Sequence, residues 1–348
     1  MTRNTVAIVS AVLFVVLAAL LAVAPVPYVT WGPGRAYNVL ATDQSPPTIG
    51  IEGVTTFPTN GQLLLSSAAV SRPDGQVSLP EALLAHWMPS SQVVPREWAY
   101  QPGKTREQLQ DETTSESGTM HRDATVSALR AAGHPVTEMP MVSSVAATGP
   151  SSAKLLVGDL VSKVDGLPVA RTEDVTNAIR RHAVGEDVVL EVLRGSETVA
   201  VTVTTASSNQ GDRRIPVIGI STTIGYRFAP TVTFGVEPDI AGPSAGLPLA
   251  LGIYDLITEG DLLGTRVVGA AGTIDALGNV GPVEAIQEKI ASAQGQKATA
   301  FLVPAVNCPD VAGLRTSLSL VKVATLKDAI AAVQLLAEPN PTTEVPHC

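Results

Sequence analysis

The chain of 348 residues carries 23 basic and 32 acidic side chains, which gives a formal net charge of −9. An acidic chain disfavours a nucleic-acid partner, because affinity for the phosphate backbone requires clustered lysine and arginine. Only 16% of the residues are charged and the mean hydropathy is +0.24, whereas soluble domains average about 25% charged residues. Two cysteines exclude a disulfide-dense scaffold and a four-cysteine zinc site. The length predicts about two domains.

The first 27 residues are interpreted as a cytoplasmic stub and a membrane-spanning anchor. The apolar run Val6–Ala24 has 19 residues, enough for a helix to cross a bilayer core of about 30 Å. A cleaved signal peptide is the competing interpretation. Its apolar region is usually about 7–15 residues, and Pro25 would follow the cleavage site, so an uncleaved anchor is expected. The flanking charges, Arg3 and Arg35, leave the orientation open.

The next zone, residues 28–120, is called the front segment and contains short strand-like runs. The clearest run is Gly61–Val70, which follows a turn. Residues 80–88 predict a short helix, whereas residues 104–118 are polar and predict irregular structure or a surface helix.

Residues 121–206 predict a compact module that contains two helices and a hairpin across Arg194-Gly195-Ser196. Its Leu156–Val161 run, the following Val164-Asp165-Gly166 turn and a helix over 172–182 together resemble a PDZ domain. The resemblance implies docking of an extended peptide as an added strand. The loop for a terminal carboxylate is expected near His134–Val142, which lacks a Gly-hydrophobic-Gly pattern. A PDZ fold used only for docking or shielding therefore stays an alternative.

A polar linker over residues 207–212 is expected to lead into a final zone of strands and two marked helices at 213–336. Within that zone, Gly242-Pro243-Ser244-Ala245-Gly246 precedes an apolar helix over 247–257. Ser244 is thus placed at a helix N-terminus, where free N–H groups and the helix dipole stabilise an anion. Gly242 and Gly246 would let a substrate backbone approach closely. From the pattern alone, an N-cap serine is the alternative interpretation.

A nucleophilic serine needs a base, and only one histidine, in the tail, follows Ser244. The candidate is Lys289, because burial lowers the pKa of a lysine. On a predicted helix over Val283–Gln294 this lysine lies at the edge of the apolar face, while Glu284 and Glu288 are predicted to point outward. The alternative from spacing alone is a surface lysine that packs its stem on the protein.

The order of several motifs closely resembles the proteolytic domain of Lon-type serine proteases over about 120 residues. The motifs are Gly242–Gly246, Ala270–Asp275, Gly278–Val283 and Glu288-Lys289. The resemblance implies that Ser244 is the nucleophile and that Lys289, 45 residues later, is its general base. We predict in addition that Thr273 orients the lysine in place of the family's usual threonine and that backbone groups around Gly242 and Ala245 hold the oxyanion. No metal or cofactor is implied.

With the anchor and the PDZ module, the whole chain resembles the membrane-anchored PDZ–Lon-like proteases of Gram-positive bacteria. The resemblance implies an α+β fold: a transmembrane helix, a PDZ-like β-rich module at 121–206 and a Lon-type α/β proteolytic domain at 213–336. The front segment would supply strands to the protease domain. The implied function is a single-pass cell-membrane endopeptidase whose catalytic domain lies outside the cytoplasm and cleaves unfolded or flexible proteins. The family also suggests a homo-oligomer, a hexamer.

ATP independence follows from the missing phosphate-binding motif. A Walker motif needs a glycine five positions before its Gly-Lys-Thr run. Trp98 occupies that position before Gly103-Lys104-Thr105.

Two positions depart from the family pattern and favour an alternative function. Ala271 stands where a threonine often helps to hold the lysine, and Ala241 replaces an acidic residue. The alternative is a catalytically inactive Lon fold that serves as a membrane-tethered PDZ scaffold. At the other end, residues 337–348 are expected to form a flexible tail. Cys308 and Cys348 are either a disulfide, which fits an oxidising exterior, or two unrelated thiols.

Overall fold

The computed structural model describes residues 3–42, 46–71, 77–88, 90–100, 103, 105–211, 213–235, 242–338 and 344–348. Lys104 and Ala241, named above, lie outside these residues. The helices are α1 Arg3–Val23, α2 Leu79–Trp87, α3 Arg96–Ala99, α4 Arg106–Ala131, α5 Thr172–Ile179, α6 Gly246–Ile257, α7 Ile286–Gly295 and α8 Leu326–Ala337, with 3₁₀ helices at Pro243–Ala245 and Ala305–Val311.

The strands are β1 Pro25–Val26, β2 Tyr28–Asn38, β3 Ile49–Glu52, β4 Gln62–Val70, β5 Val77–Ser78, β6 Gln92–Pro95, β7 Thr137–Val145, β8 Leu160–Val164, β9 Leu167–Pro168, β10 Asp187–Arg194, β11 Glu197–Thr204, β12 Ala206–Gln210, β13 Arg213–Val217, β14 Ile220–Arg227, β15 Thr231–Phe234, β16 Val267–Ala270, β17 Thr273–Ile274, β18 Val280–Gly281, β19 Ala300–Pro304 and β20 Ser319–Val323. They belong to two compact units, Met1–Gly133 with Pro230–Cys348, and His134–Ala229. Helices and strands both contribute to the chain, so it is an α+β protein, as expected.

A six-stranded sheet organises the first unit, in the order β20-β19-β16-β4-β2-β6. The first four strands are mutually parallel, whereas β2 runs antiparallel to both β4 and β6. Leu63, Leu64 and Leu65 of β4 are almost completely buried, as is typical of a strand covered on both faces. Three of the six strands (β2, β4 and β6) come from the front segment, so residues far apart in sequence build one sheet.

Helix α1 is long and apolar enough to cross a membrane, although a signal sequence passes the same test of length and composition. The chain leaves α1 at Val23 and almost immediately forms β1, which pairs with β5. Pro25 lies opposite Ser78, the residue that precedes α2.

Helix α4 is longer than the sequence predicts. It runs without interruption through the polar stretch 106–118, because Thr105 caps its start through a hydrogen bond from the Gln108 N–H. Its C-terminal half packs against α6 with buried side chains that include Val126 and Leu129. The helix therefore belongs with the first compact unit, and the second compact unit runs from His134 to Ala229.

The second unit is a sheet in the order β11-β10-β8-β7-β14, with β9 paired to β8 and α5 packed beside it. The predicted hairpin across Arg194-Gly195-Ser196 is present as β10–β11. Residues 207–210 of the predicted linker belong to β12, which pairs with β13 from Ala206–Val217 to Gln210–Arg213. Residue 212 lies outside the described residues. Backbone pairing continues through β14, so the unit ends at Ala229.

Within the predicted tail, residues 344–348 are bonded to the sheet, whereas residues 339–343 lie outside the described residues. The Lys322 N–H donates to the Pro346 carbonyl at 2.9 Å, and the Cys348 N–H donates to the Leu320 carbonyl at 3.2 Å. These bonds cover the outer edge of β20, an end strand that would otherwise expose unpaired backbone groups. A disulfide joins Cys308 to Cys348.

Candidate active site

Ser244 lies in a 3₁₀ turn that continues directly into α6. Pro243 occupies the first position of the turn, where a proline has no hydrogen bond to lose. Leu247, Leu249 and Leu251 of α6 are completely buried. The half-buried Ser244 therefore stands at the N-terminal end of a buried helix.

Backbone bonds join this turn to the segment before β17. The Gly272 N–H donates to the Ser244 carbonyl, and the Leu247 N–H donates to the Gly272 carbonyl, both at 2.9 Å. A Cβ on Gly246 would lie 2.9 Å from Cγ2 of Ile274. Gly246 thus permits close packing of the turn on β17, which differs from the expected role in substrate approach. A Cβ on Gly242 would meet open space, so Gly242 alone keeps that interpretation.

Lys289 lies in α7 with only 8% of its surface exposed. Its Nζ donates to the Glu284 carbonyl at 2.9 Å. Burial lowers the pKa of Lys289 to about 8, against the opposing charges of Glu284 and Glu288. A lysine with such a pKa is partly neutral near physiological pH, and only the neutral amine can act as a base.

The turn before α7 accepts hydrogen bonds from both the backbone N–H and the side-chain amine of Lys289. Ala285 adopts a left-handed conformation with φ 51° and ψ 43°, which costs an L-residue about 1–2 kcal/mol. The Ala285 carbonyl accepts from the Lys289 N–H at 3.1 Å, while the Glu284 carbonyl accepts from its Nζ. Backbone strain of this kind is often found at functional sites.

Glu288 does not point outward as predicted; it is completely buried, whereas Glu284 is exposed as predicted. Within the described residues, neither carboxylate oxygen of Glu288 has a hydrogen-bond partner. Burial raises the pKa of Glu288. The prediction failed because α7 packs against β2 and β4, with Ser292 bonded to the Gly34 carbonyl at 3.1 Å. Local periodicity contains no information about that distant partner.

Ser244 and Lys289 line the same cavity, which has a volume of about 230 Å³. Gly242, Glu284 and Ala285 complete one side. The front segment supplies the other side through residues that are not predicted from the sequence as site residues: Trp31, Ser67, Ala68, Val70, Ala99 and Tyr100. Their distance from the Ser244 motif in sequence explains this omission. No hydrogen bond joins Ser244 Oγ to Lys289 Nζ directly within the described part of the chain.

A larger cavity of about 570 Å³ shares Trp31, Glu284 and Ala285 with the first. Trp98 and Asp310 also line it. The shared residues make the two cavities neighbours, so space for a substrate extends beyond the Ser244–Lys289 pair.

The predicted helper residues have other contacts. Thr273 pairs with Gly281 between β17 and β18 and does not line the Ser244 cavity. The Ala245 N–H donates to the Gly242 carbonyl at 2.9 Å, so it is engaged rather than free for an oxyanion. Ala271 is buried in a core cluster that includes Ile286 and Ile290.

The second unit has its own groove of about 320 Å³, between α5 and the chain entering β14. Val175, Thr176 and Ile179 form one wall, and residues 215–220 with Thr222 form the other. Residues 137–142 of the segment where a carboxylate-binding loop is expected lie in β7, between β8 and β14, and do not line this groove. The wall opposite α5 includes Ile218-Gly219-Ile220, which lies beyond the predicted end of the module at residue 206.

Comparison with known proteins identifies two families. A PDZ domain model matches residues 119–205, and the model of the C-terminal proteolytic domain of Lon proteases (S16) matches residues 232–335. No curated protein matches the chain.

Solved structures that match include PDZ domains of SdrC-like proteins from Listeria monocytogenes and Listeria innocua. Each is 23% identical with a TM-score of 0.23; both cover 24% of this chain, and 86% and 92% of their own chains, respectively. A solution structure from Geobacillus thermodenitrificans is 21% identical with a TM-score of 0.20, covering 22% of this chain and 86% of its own.

Proposed function

Because the chain contains a PDZ domain and a Lon-type proteolytic domain, we propose that it is a membrane-anchored serine endopeptidase that works without ATP. It cleaves unfolded or flexible proteins outside the cytoplasmic membrane. The observation that carries the proposal is the shared cavity of Ser244 and Lys289, together with the lowered pKa of the lysine. The disulfide between Cys308 and Cys348 supports an oxidising location.

In the proposed mechanism, neutral Lys289 accepts the Ser244 proton while Ser244 Oγ attacks a peptide carbonyl. The Ser244 N–H is placed to stabilise the resulting oxyanion, because Pro243 has no N–H and the Ala245 N–H is bonded to the Gly242 carbonyl. The protonated lysine then returns its proton to the leaving amine. The acyl-enzyme is hydrolysed by water, with Lys289 again acting as the base. The Glu284 carbonyl accepts a hydrogen bond from the amine. Burial opposes protonation of the amine, while the charges of Glu284 and Glu288 favour it.

The test uses purified full-length protein in detergent with a casein-like substrate and no nucleotide. Wild type is expected to degrade the substrate and to react with a serine-directed fluorophosphonate probe. Ser244→Ala and Lys289→Ala are expected to lose both activities. The matched exposed changes Ser207→Ala and Lys327→Ala should retain them. Degradation by Ser244→Ala would refute the assignment of the nucleophile.

The inactive scaffold is the second candidate, and the missing Ser244–Lys289 hydrogen bond is the observation that favours it. A scaffold would show no substrate turnover and no probe labelling in wild type under any pH between 6 and 10. Wild-type labelling that disappears in Ser244→Ala would exclude it.

We further propose that the PDZ domain docks substrates in the groove beside α5. β14 is an end strand of its sheet, so a peptide could pair with its free edge and place side chains against Val175 and Ile179. Filling the groove with Thr176→Trp should slow degradation of a protein substrate. Hydrolysis of a short fluorogenic peptide should not change. Asn177→Trp, exposed on the same helix but outside the groove, is the matched control, and equal effects of both variants would contradict docking there.

A further inference from the structure

Helix α2 exposes its large apolar side chains and buries its alanines. Ala82 and Ala85 face the protein, whereas Leu84, Trp87 and Met88 are 61%, 73% and 57% exposed. Leu83 is also exposed. At about 100° per residue, positions 83, 84 and 87 form one stripe opposite the alanines, and the exposed Met88 follows directly after the helix. A helix of this kind normally directs such a stripe into a core, so the exposed stripe indicates an apolar partner.

The position of α2 in the fold identifies that partner. α1 ends at Val23, and Pro25 pairs with Ser78, which immediately precedes α2. Paired residues in adjacent strands have Cα atoms about 5 Å apart, so α2 starts beside the point where the chain leaves α1. Helices α1 and α2 are also in contact.

We propose that α2 lies in the outer interface of the membrane that α1 crosses, with Leu83, Leu84, Trp87 and Met88 inserted among the lipids. The inference rests on the proposed anchoring by α1. Tryptophan is enriched at membrane interfaces, where its ring is apolar and its N–H remains hydrated. Residues 79–88 contain no lysine or arginine. The insertion is therefore apolar and does not require anionic lipid, unlike basic amphipathic helices.

This placement brings the catalytic cavity close to the bilayer. Gln92 lies four positions after Met88 in the sequence, which bounds their Cα separation at about 14 Å. Gln92 pairs with Trp31, a residue that lines the cavity of Ser244 and Lys289. Trp31 is thus within roughly 20 Å of the inserted stripe. The favoured substrates are consequently unfolded segments tethered to the membrane or emerging from it.

The first experiment measures depth and does not need enzymatic activity. Both native cysteines form the disulfide, so a single new cysteine can be labelled selectively with a fluorophore in full-length protein in phosphatidylcholine vesicles. The label on Leu84→Cys is expected to shift to the blue and to be quenched by lipid-attached nitroxides. The label on Lys327→Cys, exposed on α8, should show neither effect. A carbonate wash verifies that the protein is anchored.

A Leu84 label that remains in water, in anchored protein, overturns the inference. A label that is shielded from water yet not quenched by the lipid nitroxide also overturns it, because a second copy of the chain would then cover the stripe. Quenching that requires anionic lipid would contradict the apolar insertion.

The second experiment compares one unfolded substrate in two forms, soluble and fused to a membrane anchor. Trp87→Glu is expected to reduce cleavage of the anchored form several-fold while cleavage of the soluble form is unchanged, with Trp87→Phe as the conservative control. If no variant cleaves either form, the proposed protease function fails, but the depth measurement still decides the inference about α2.

Discussion

Replacing Lys289 with methionine should stabilise the fold while it removes the general base. The lysine is 92% buried by surface area (8% exposed), and its ammonium form is disfavoured there, which lowers its pKa from 10.5 to about 8. Methionine has a similar length and no charge to desolvate. Functional groups held in such unfavourable surroundings commonly reduce stability.

The size of the stability gain follows from how far the pKa of Lys289 is lowered by burial. At 1.36 kcal/mol for each pH unit, lowering the pKa from 10.5 to about 8 corresponds to about 3 kcal/mol against the folded state below pH 8. Loss of the bond from Nζ to the Glu284 carbonyl subtracts about 1 kcal/mol. The net gain for Lys289→Met is then about 2 kcal/mol at pH 7. For a unit of this size that gain corresponds to roughly 4–8 °C in Tm.

The way in which the stability gain of Lys289→Met changes with pH distinguishes removal of a buried charge from ordinary repacking of side chains. In wild type, the free-energy cost of burying the Lys289 ammonium is fully present below pH 8. It disappears as the pH rises towards 10.5, because the lysine of the unfolded chain then loses its proton as well. Urea unfolding should therefore show a gain of about 2 kcal/mol at pH 7 and close to zero at pH 9.5. Lys327→Met, at an exposed position, should show no such trend. A destabilised Lys289→Met at pH 7, or an equal gain at both pH values, would refute the reasoning.

Four further outcomes are expected. The value of kcat/KM on a short peptide should rise with pH through an apparent pKa near 8, and a flat profile from pH 6 to 10 would exclude Lys289 as the base. Gly246→Ala should lower the Tm because its Cβ meets β17, whereas Gly242→Ala should leave the Tm unchanged and raise KM; the reverse order in thermal melting would contradict these roles. Burial raises the pKa of Asp255 to about 6, so Asp255→Asn should stabilise the protein at pH 7 by up to about 3 kcal/mol but not at pH 4; equal effects at both would argue against a buried charge. Cys348→Ser should destabilise the first unit by about 2–4 kcal/mol in denaturant unfolding, and no change would show that the C-terminal edge is held without the disulfide.

The parts of the site that lie in contiguous motifs could be predicted from the sequence. Ser244 and Lys289 occur in short patterns with a fixed order, and the family matches at 119–205 and 232–335 cover the same two modules. The Val283–Ala293 apolar face was also predictable, because its helical spacing is local, and Ile286, Ile290 and Ala293 are buried in the structure.

The features that could not be predicted from the sequence depend on packing or pairing with segments that are distant in sequence. Glu288 is buried because β2 and β4, more than 200 residues earlier, cover that face of α7. The groove in the second unit depends on the pairing of β14 with β7, which brings Ile218-Gly219-Ile220 beside α5. Spacing within a helix or strand contains no information about such pairings.

The contacts of Lys289 bear on how the two candidate functions should be weighed. Ala271 favoured an inactive scaffold because a threonine there often holds the lysine. In this chain the amine is held by the main-chain carbonyl of Glu284, and a main-chain carbonyl does not depend on the identity of a side chain. Ala271 therefore removes no partner that Lys289 has in this structure. With a pKa of about 8, about one lysine in ten is neutral at pH 7, and this fraction can accept the proton of Ser244. The departure at Ala271 is thus compatible with catalysis, and the missing contact between Ser244 Oγ and Lys289 Nζ becomes the feature on which the scaffold alternative depends.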